Sequence, residues 1–95
     1  MILGEILRET KLKKYAQQGG TCGVCGNDIT NAFTAELAHR IPQTESNIRR
    51  YGEKVIHHDL NMVLVCSKKC NSSVLINNKP IRKAQLISHI LEDLK

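Results

Sequence analysis

The sequence predicts a small α+β domain in which an N-terminal and a C-terminal helix flank a cysteine-stapled core. The chain has 95 residues, a length that suits one domain, so we predict a single domain over 1–95. Four cysteines fall in two closely spaced pairs, and the residues between the pairs hold two short apolar runs of strand character. The expected boundaries are 1–19 for the first helix, 20–78 for the core and 79–95 for the last helix.

The first helix is predicted over residues 2–17. Apolar residues recur at helical spacing near its start, at Ile2, Leu3, Ile6 and Leu7. The run 8–18 contains neither glycine nor proline. Gly19 and Gly20 then end the helix, as glycine after a last turn commonly does.

The cellular compartment is inferred from the N-terminus and from the apolar runs. The chain begins with an early acid, Glu5, and lacks the long apolar segment and small-residue cleavage site of a signal peptide. No apolar run approaches the roughly 20 residues that a membrane span needs. We therefore expect a cytoplasmic protein with no membrane partner, whose reduced thiols serve as metal ligands or redox groups.

A turn with two cysteines follows the first helix. Residues 22–26 read Cys-Gly-Val-Cys-Gly, so two residues separate the cysteines and a glycine follows each of them. Such a turn aims both sulfurs at one point, its N–H groups can donate to thiolates, and glycine permits the positive φ that it demands. The second pair has three intervening residues, with Cys66 at a strand end and Cys70 in the first turn of a helix.

The two pairs together predict a structural zinc site, with the ligands Cys22, Cys25, Cys66 and Cys70. Zinc takes four ligands tetrahedrally, and two short-spaced pairs from opposite ends of a domain are a common way to supply them. With all four sulfurs bound, the ion has no open position and staples the fold. The alternatives are a redox pair, which does not need a second pair, and an iron–sulfur cluster, which more often takes cysteines clustered in sequence.

Two short strands are predicted between the cysteine pairs. Alternating apolar residues predict the first over 34–40, where Pro42 ends it, and the second over 61–65. The residues between them, 43–59, are polar without a convincing period. We therefore predict a long loop there, with at most a short helical turn within 46–51.

Two helices are predicted after the second strand. Ser67 suits the N-cap of a helix that runs to Ile76, and a turn follows over 77–80. The last helix is predicted over 81–94. We expect one of its faces to pack on the core, with the residues Ile87, Ile90, Leu91 and Leu94.

These motifs, in this order, resemble the HNH endonuclease family. The resemblance rests on the first cysteine pair, on a strand that ends in His39 before an aliphatic residue and a proline, and on two later motifs. These are Asn61-x-x-Leu64-x-Cys66 and Cys70-Asn71. The match covers about 22–78 and implies a ββα-metal core of the subgroup that carries a four-cysteine zinc staple.

The resemblance implies a role for three polar residues. His39 matches the general base that activates water for attack on the scissile phosphate, a task that suits the pKa of imidazole. Asn61 matches the central asparagine, which pins the long loop to the hairpin and orients the base. Asn71 matches a ligand of the catalytic divalent metal, expected to be Mg²⁺ or Mn²⁺.

The sequence departs from the family at Ala38. Many members carry an aspartate there that binds the metal, and alanine cannot. We expect His58 to supply the missing ligand, with three weaker candidates in His57, Asp59 and Glu36.

The chain carries a net charge of +5, which suits a polyanionic partner such as nucleic acid. Placed on the family fold, six basic residues are expected to contact DNA phosphates: Arg40, Arg49, Arg50, Lys54, Lys68 and Lys69.

The resemblance implies a metal-dependent DNA endonuclease or nickase. Double-strand cutting by so small a domain would normally need a homodimer or a partner protein. Two alternatives stay open. The first is a catalytically weakened, zinc-stapled nucleic-acid-binding module, which Ala38 favours. The second is a structural or protein-interaction zinc domain whose basic residues are incidental.

Overall fold

The computed structural model describes residues 3–95, with the side chains of 7–95. Within that range the elements are α1 (Leu3–Gln17), β1 (Glu36–His39), α2 (Glu45–Tyr51), α3 (Glu53–Ile56), β2 (Met62–Val65), α4 (Lys68–Ser73) and α5 (Pro80–Asp93). A 3-10 turn over Asp59–Asn61 precedes β2, and the two strands pair as a two-stranded sheet. The structure thus confirms the predicted α+β class. No helix among these elements is long and apolar enough to cross a membrane.

The chain divides into two compact units, and each strand passes from one unit to the other. The first unit comprises Met1–Ala38 and Leu64–Ser73. It therefore contains α1, α4 and all four cysteines. The second unit comprises His39–Val63 and Val74–Lys95, so it contains α2, α3 and α5.

In the first unit, the side chain of Gln18 joins the end of α1 to β2. Its Nε2 donates to the carbonyl oxygens of Thr21 and Leu64, both at 2.8 Å, and its Oε1 accepts from the N–H of Leu64 at 2.9 Å. The helix ends where the sequence predicted, because Gly20 has a φ of 75° that side chains rarely adopt. A Cβ at that glycine would also meet the ring of Tyr15 at 3.2 Å.

The apolar core of the second unit corrects the predicted loop over 43–59. Much of that segment is helical, in α2 and α3, and its apolar side chains lie on the inner faces of these helices. The core consists of Ile41, Val55, Ile56, Ile76, Leu86 and Ile90, with Ile48, Tyr51 and Ile87 packed against it. Thr44 caps α2 by accepting from the N–H of Asn47 at 3.2 Å, and Gly52, with a φ of 90°, separates the two helices.

The structure confirms two of the four residues that were predicted to pack on the core from α5, because Ile90 is buried and Ile87 packs against the core. Leu86 and Ile90 are the buried residues, whereas Leu91 is 50% exposed and Leu94 is 45% exposed. Leu86 and Ile90 are four residues apart, so they stack one turn above the other and face α3 as a narrow stripe. Leu94 is the C-cap residue of the helix.

The helix that contains Cys70 is shorter than predicted. It spans Lys68–Ser73 and stops before Ile76, which instead packs in the core of the second unit. The predicted cap is confirmed, because Ser67 Oγ accepts from the N–H of Cys70 at 3.3 Å.

Candidate functional site

The cysteine turn of the first unit is built by backbone hydrogen bonds. The N–H of Cys22 donates to the carbonyl of Asn27 at 2.8 Å, and the N–H of Gly26 donates back to the carbonyl of Cys22 at 3.1 Å. Gly26 adopts the positive φ that the turn needs, 77°. The N–H of Val24 points at the sulfur of Cys22, 3.4 Å away, as expected for a turn that stabilises a thiolate. The N–H of Gly23 bonds β2 instead, at the carbonyl of Leu64.

All four cysteine sulfurs converge. They lie within 4.8 Å of one another, with Cys25 Sγ 3.6 Å from Cys66 Sγ and Cys66 Sγ 3.9 Å from Cys70 Sγ. Four sulfurs placed tetrahedrally at about 2.3 Å from a zinc ion would be about 3.8 Å apart, so these distances are compatible with zinc. They are far too long for disulfides, and all four thiols are free.

The thiols of the cluster differ in their pKa. Burial raises the pKa of Cys22, but backbone hydrogen bonds, led by that of Cys25, outweigh it and lower the pKa to about 6. The hydrogen bond between Cys66 and Cys25 has the opposite effect and raises the pKa of Cys66 to about 12. Cys66 therefore keeps its proton at neutral pH in the absence of a cation, and metal binding must release it.

His39 is the last residue of β1, in the part that belongs to the second unit, and its ring is half-buried. Its Nε2 lies 3.3 Å from Nδ1 of His57, the residue that follows α3. The two rings meet edge to face, with centroids 5.4 Å apart and planes at 84°. Burial lowers the pKa of His39 below the ordinary value of 6.5, and the neighbouring His57 lowers it further. His39 is therefore a neutral base at neutral pH.

The fully buried side chain of Asn61 fixes both segments that carry these histidines. Its Oδ1 accepts from the N–H of Ile41 at 2.8 Å, and its Nδ2 donates to the carbonyls of Ile41 at 3.1 Å and Ile56 at 2.7 Å. Ile41 lies two residues after His39. Ile56 directly precedes His57. The three bonds form a clamp, which we call the Asn61 clamp, that holds the two histidine-bearing backbones at a set distance.

His58 is engaged through both ring nitrogens. Its Nδ1 accepts from the N–H of Leu60 at 3.0 Å, and its Nε2 lies 2.7 Å from Oδ2 of Asp93 on α5. A metal ion at this ring would have to displace one of those contacts. The predicted role of His58 as a ligand of the catalytic metal stays a prediction.

In the first unit, the structure brings Asn71 to one of the weaker ligand candidates. Nδ2 of Asn71, on α4, lies 3.5 Å from Oε1 of Glu36, at the start of β1. Glu36 precedes Ala38 by two residues and so points to the same side of the strand. Carboxylate and amide oxygens are the ligand types that Mg²⁺ and Mn²⁺ prefer.

The basic residues expected to contact DNA are all at least partly exposed: Arg40, Arg49, Arg50, Lys54, Lys68 and Lys69. Two of them have neighbours in the second unit. Arg49 pairs with Glu45 along α2, and the guanidinium of Arg50 lies 5.5 Å from the ring centre of Tyr51. Exposed pairs of this kind contribute little to stability and leave the charges accessible. Contact with DNA stays a prediction for all six.

Among the described residues, the four cysteines are the one group of three or more His, Cys, Asp or Glu side chains placed to hold a metal ion. No protein-family model, curated protein or solved structure matches the chain. Membership of the HNH family and a catalytic Mg²⁺ or Mn²⁺ are therefore not established by comparison and stay predictions that rest on the motifs.

The cysteine cluster predicts about one zinc ion per chain, since four sulfurs complete one tetrahedral site. Changing Cys22 to Ser removes a buried ligand, so zinc content should fall and the first unit should unfold. Elemental analysis and circular dichroism measure the two effects. Val24→Ser, in the same turn but outside the ligand set, is the control and should keep its zinc. A folded wild-type protein without metal would show that the cluster is not a staple.

The Asn61 clamp predicts a large stability effect for Asn61→Leu, which keeps the volume and removes all three hydrogen bonds. Three buried backbone groups lose their partners, so we expect the free energy of unfolding to fall by about 3 kcal/mol. Urea denaturation of the zinc-loaded protein measures it. Asn78→Leu, at an exposed asparagine, is the matched control and should change the value little. Equal stabilities for the two variants would contradict the clamp.

Proposed function

We propose that this chain is a zinc-stapled, metal-dependent DNA endonuclease or nickase of the HNH type, with His39 as the general base. The observation that carries the proposal is the half-buried imidazole of His39, two residues before the backbone that Asn61 bonds, within the motif order Cys-x2-Cys, His, Asn, Cys-Asn. A base must be neutral and fixed in direction, and burial together with the Asn61 clamp favours both conditions.

The proposed reaction is hydrolysis of a phosphodiester. His39 takes a proton from the attacking water and becomes imidazolium, while the water oxygen forms a new bond to phosphorus. The bond from phosphorus to the leaving sugar oxygen breaks, and that oxygen takes a proton from solvent. An imidazole with a pKa below 6.5 remains able to accept the first proton throughout the neutral range.

Glu36 and Asn71 are the side chains we propose to hold the divalent cation. Their contact at 3.5 Å, with one carboxylate and one amide, fits a site that Mg²⁺ or Mn²⁺ completes with water and substrate phosphate oxygens. When bound, such a cation stabilises negative charge on the phosphate and the leaving oxygen. In this proposal Glu36 takes over the part that an aspartate at Ala38 plays in the family.

The net charge of +5 supports a nucleic-acid substrate. Phosphate contacts from exposed Lys and Arg side chains give affinity without sequence preference, and this affinity falls as salt rises. The chain by itself supplies one proposed base, so it suits nicking. Double-strand cutting would need a second copy or a partner.

A second candidate function is a nucleic-acid-binding module that has the fold without the chemistry. One observation favours it: position 38 holds an alanine that is 1% exposed, buried in the place where the family carries a metal-binding aspartate. The module requires only the zinc staple and the basic surface, and makes no demand on His39.

A nicking assay separates these functions. Supercoiled plasmid with Mg²⁺ or Mn²⁺ should be nicked by the wild type, and His39→Ala should lower the rate by about 100-fold or more, the usual contribution of a general base. His89→Ala, at an exposed histidine of α5, is the matched control and should keep full activity. Nicking by neither wild type nor His39→Ala above buffer would reject the nuclease. In that case, salt-dependent DNA binding would support the nucleic-acid-binding module. The absence of DNA binding at low salt would instead support a structural zinc domain.

The pH dependence of nicking gives an independent prediction. Activity requires neutral His39 and is lost as pH falls through its pKa, which burial and His57 place below 6.5. The acid limb of the single-turnover rate should therefore have its midpoint below pH 6.5. Rates measured at constant ionic strength between about pH 5 and about pH 8 locate it. A midpoint above the ordinary imidazole value would contradict the assignment of a buried base.

A further inference from the structure

Which of the two histidines, His39 or His57, donates the hydrogen bond between them matters for the proposed chemistry. The 3.3 Å separation joins Nε2 of His39 to Nδ1 of His57, and two neutral imidazoles can share only one proton across it. If His39 donates, its Nδ1 keeps a lone pair. If His57 donates, the proton of His39 sits on Nδ1, and the ring has no free nitrogen left to act as a base.

The exposure of the two rings favours donation by His39. His57 is exposed, so its Nε2–H can bond water while its Nδ1 accepts, which is the commoner tautomer of a free imidazole. His39 is half-buried, and the contact with His57 gives its Nε2–H a fixed partner. In this arrangement both rings carry their proton on Nε2.

The backbone supports a lasting contact. The Asn61 clamp bonds Ile41 and Ile56, so it fixes the chain close to His39 and directly before His57. His57 also caps α3, with its N–H bonded to the carbonyls of Glu53 and Val55. The acceptor nitrogen is thus held by a helix end on one side and by a buried amide on the other.

We propose that His57 is a positioning residue that holds His39 in the Nε2–H tautomer and leaves Nδ1 of His39 as the basic atom. The inference rests on the proposed role of His39 as general base. His57 does not touch the substrate in this scheme. It accepts one hydrogen bond and thereby decides which nitrogen of His39 takes the proton of the attacking water.

Two variants of equal shape test the assignment. In His57→Asn the side-chain Oδ1 occupies the place of Nδ1 and can still accept from His39, whereas His57→Leu has the same branching and no acceptor. Because His57 is exposed, neither change removes a core contact. We expect nicking to fall about tenfold in His57→Leu, the worth of one hydrogen bond, and to be largely retained in His57→Asn.

The tautomer itself is read by nitrogen-15 correlation spectra of the imidazole rings near neutral pH. With four histidines in the chain, the His39 signals can be assigned from the His39→Ala spectrum. The wild type and His57→Asn should show His39 protonated at Nε2, and His57→Leu should show a mixture of tautomers. Circular dichroism and zinc content confirm that each variant is folded.

The outcomes separate the inference from the proposed function. An Nδ1–H tautomer of His39 in the wild type, or an unchanged tautomer and rate in His57→Leu, overturns the role of His57. The role of His57 is also overturned if Zn²⁺ added beyond one ion per chain changes the nitrogen-15 chemical shifts of both His39 Nε2 and His57 Nδ1. The two histidines would then be metal ligands. A wild type without nuclease activity that still shows the His57-dependent tautomer overturns the function and supports the hydrogen-bond assignment.

Discussion

The structure of the second unit depends on one buried amide. Asn61 satisfies three backbone groups at once, and an apolar residue of the same size would leave each of them without a partner in a region closed to water. The backbone it bonds runs beside His39 and His57. Stability and the proposed chemistry therefore both depend on Asn61, and the geometry of the histidine pair follows from the way the loop is closed.

In the first unit, several of the buried side chains among the described residues are small. They include Ala32, Ala35 and Ala38, with Leu64 and Val65 among the few larger ones. Alanine side chains bury little apolar area, and a cluster of four thiols adds like-charge repulsion once it ionises. The high pKa of Cys66 beside the low pKa of Cys22 shows that the clustered thiols do not all ionise together, and a bound cation removes the repulsion between thiolates.

Local signals predicted the parts of the fold that local chemistry determines. The end of α1 at a glycine pair, the N-cap at Ser67 and the convergence of two cysteine pairs all followed from residue type and spacing. The helices of segment 43–59 could not be predicted from local signals. Charged residues interrupt its apolar residues, Ile48, Tyr51, Val55 and Ile56, and these residues are stabilised only by the core in which they pack. The sequence favoured His58 over His57 as a metal ligand, which stays a prediction, and carried no signal that His57 lies beside His39. The two are adjacent, and the helix end alone decides which one lies beside His39.

The state of His39 bears on the choice between enzyme and binding module. A module that binds phosphate gains from positive charge, yet burial lowers the pKa of this histidine and keeps it neutral, so it adds nothing to the attraction of DNA. A general base gains from the same burial, since it must be neutral before it can accept a proton. Burial of the His39 ring costs solvation free energy and does not strengthen the binding of DNA phosphates. A neutral, half-buried His39 therefore suits the proposed general base better than a phosphate contact, although a histidine that only bonds His57 would be neutral as well.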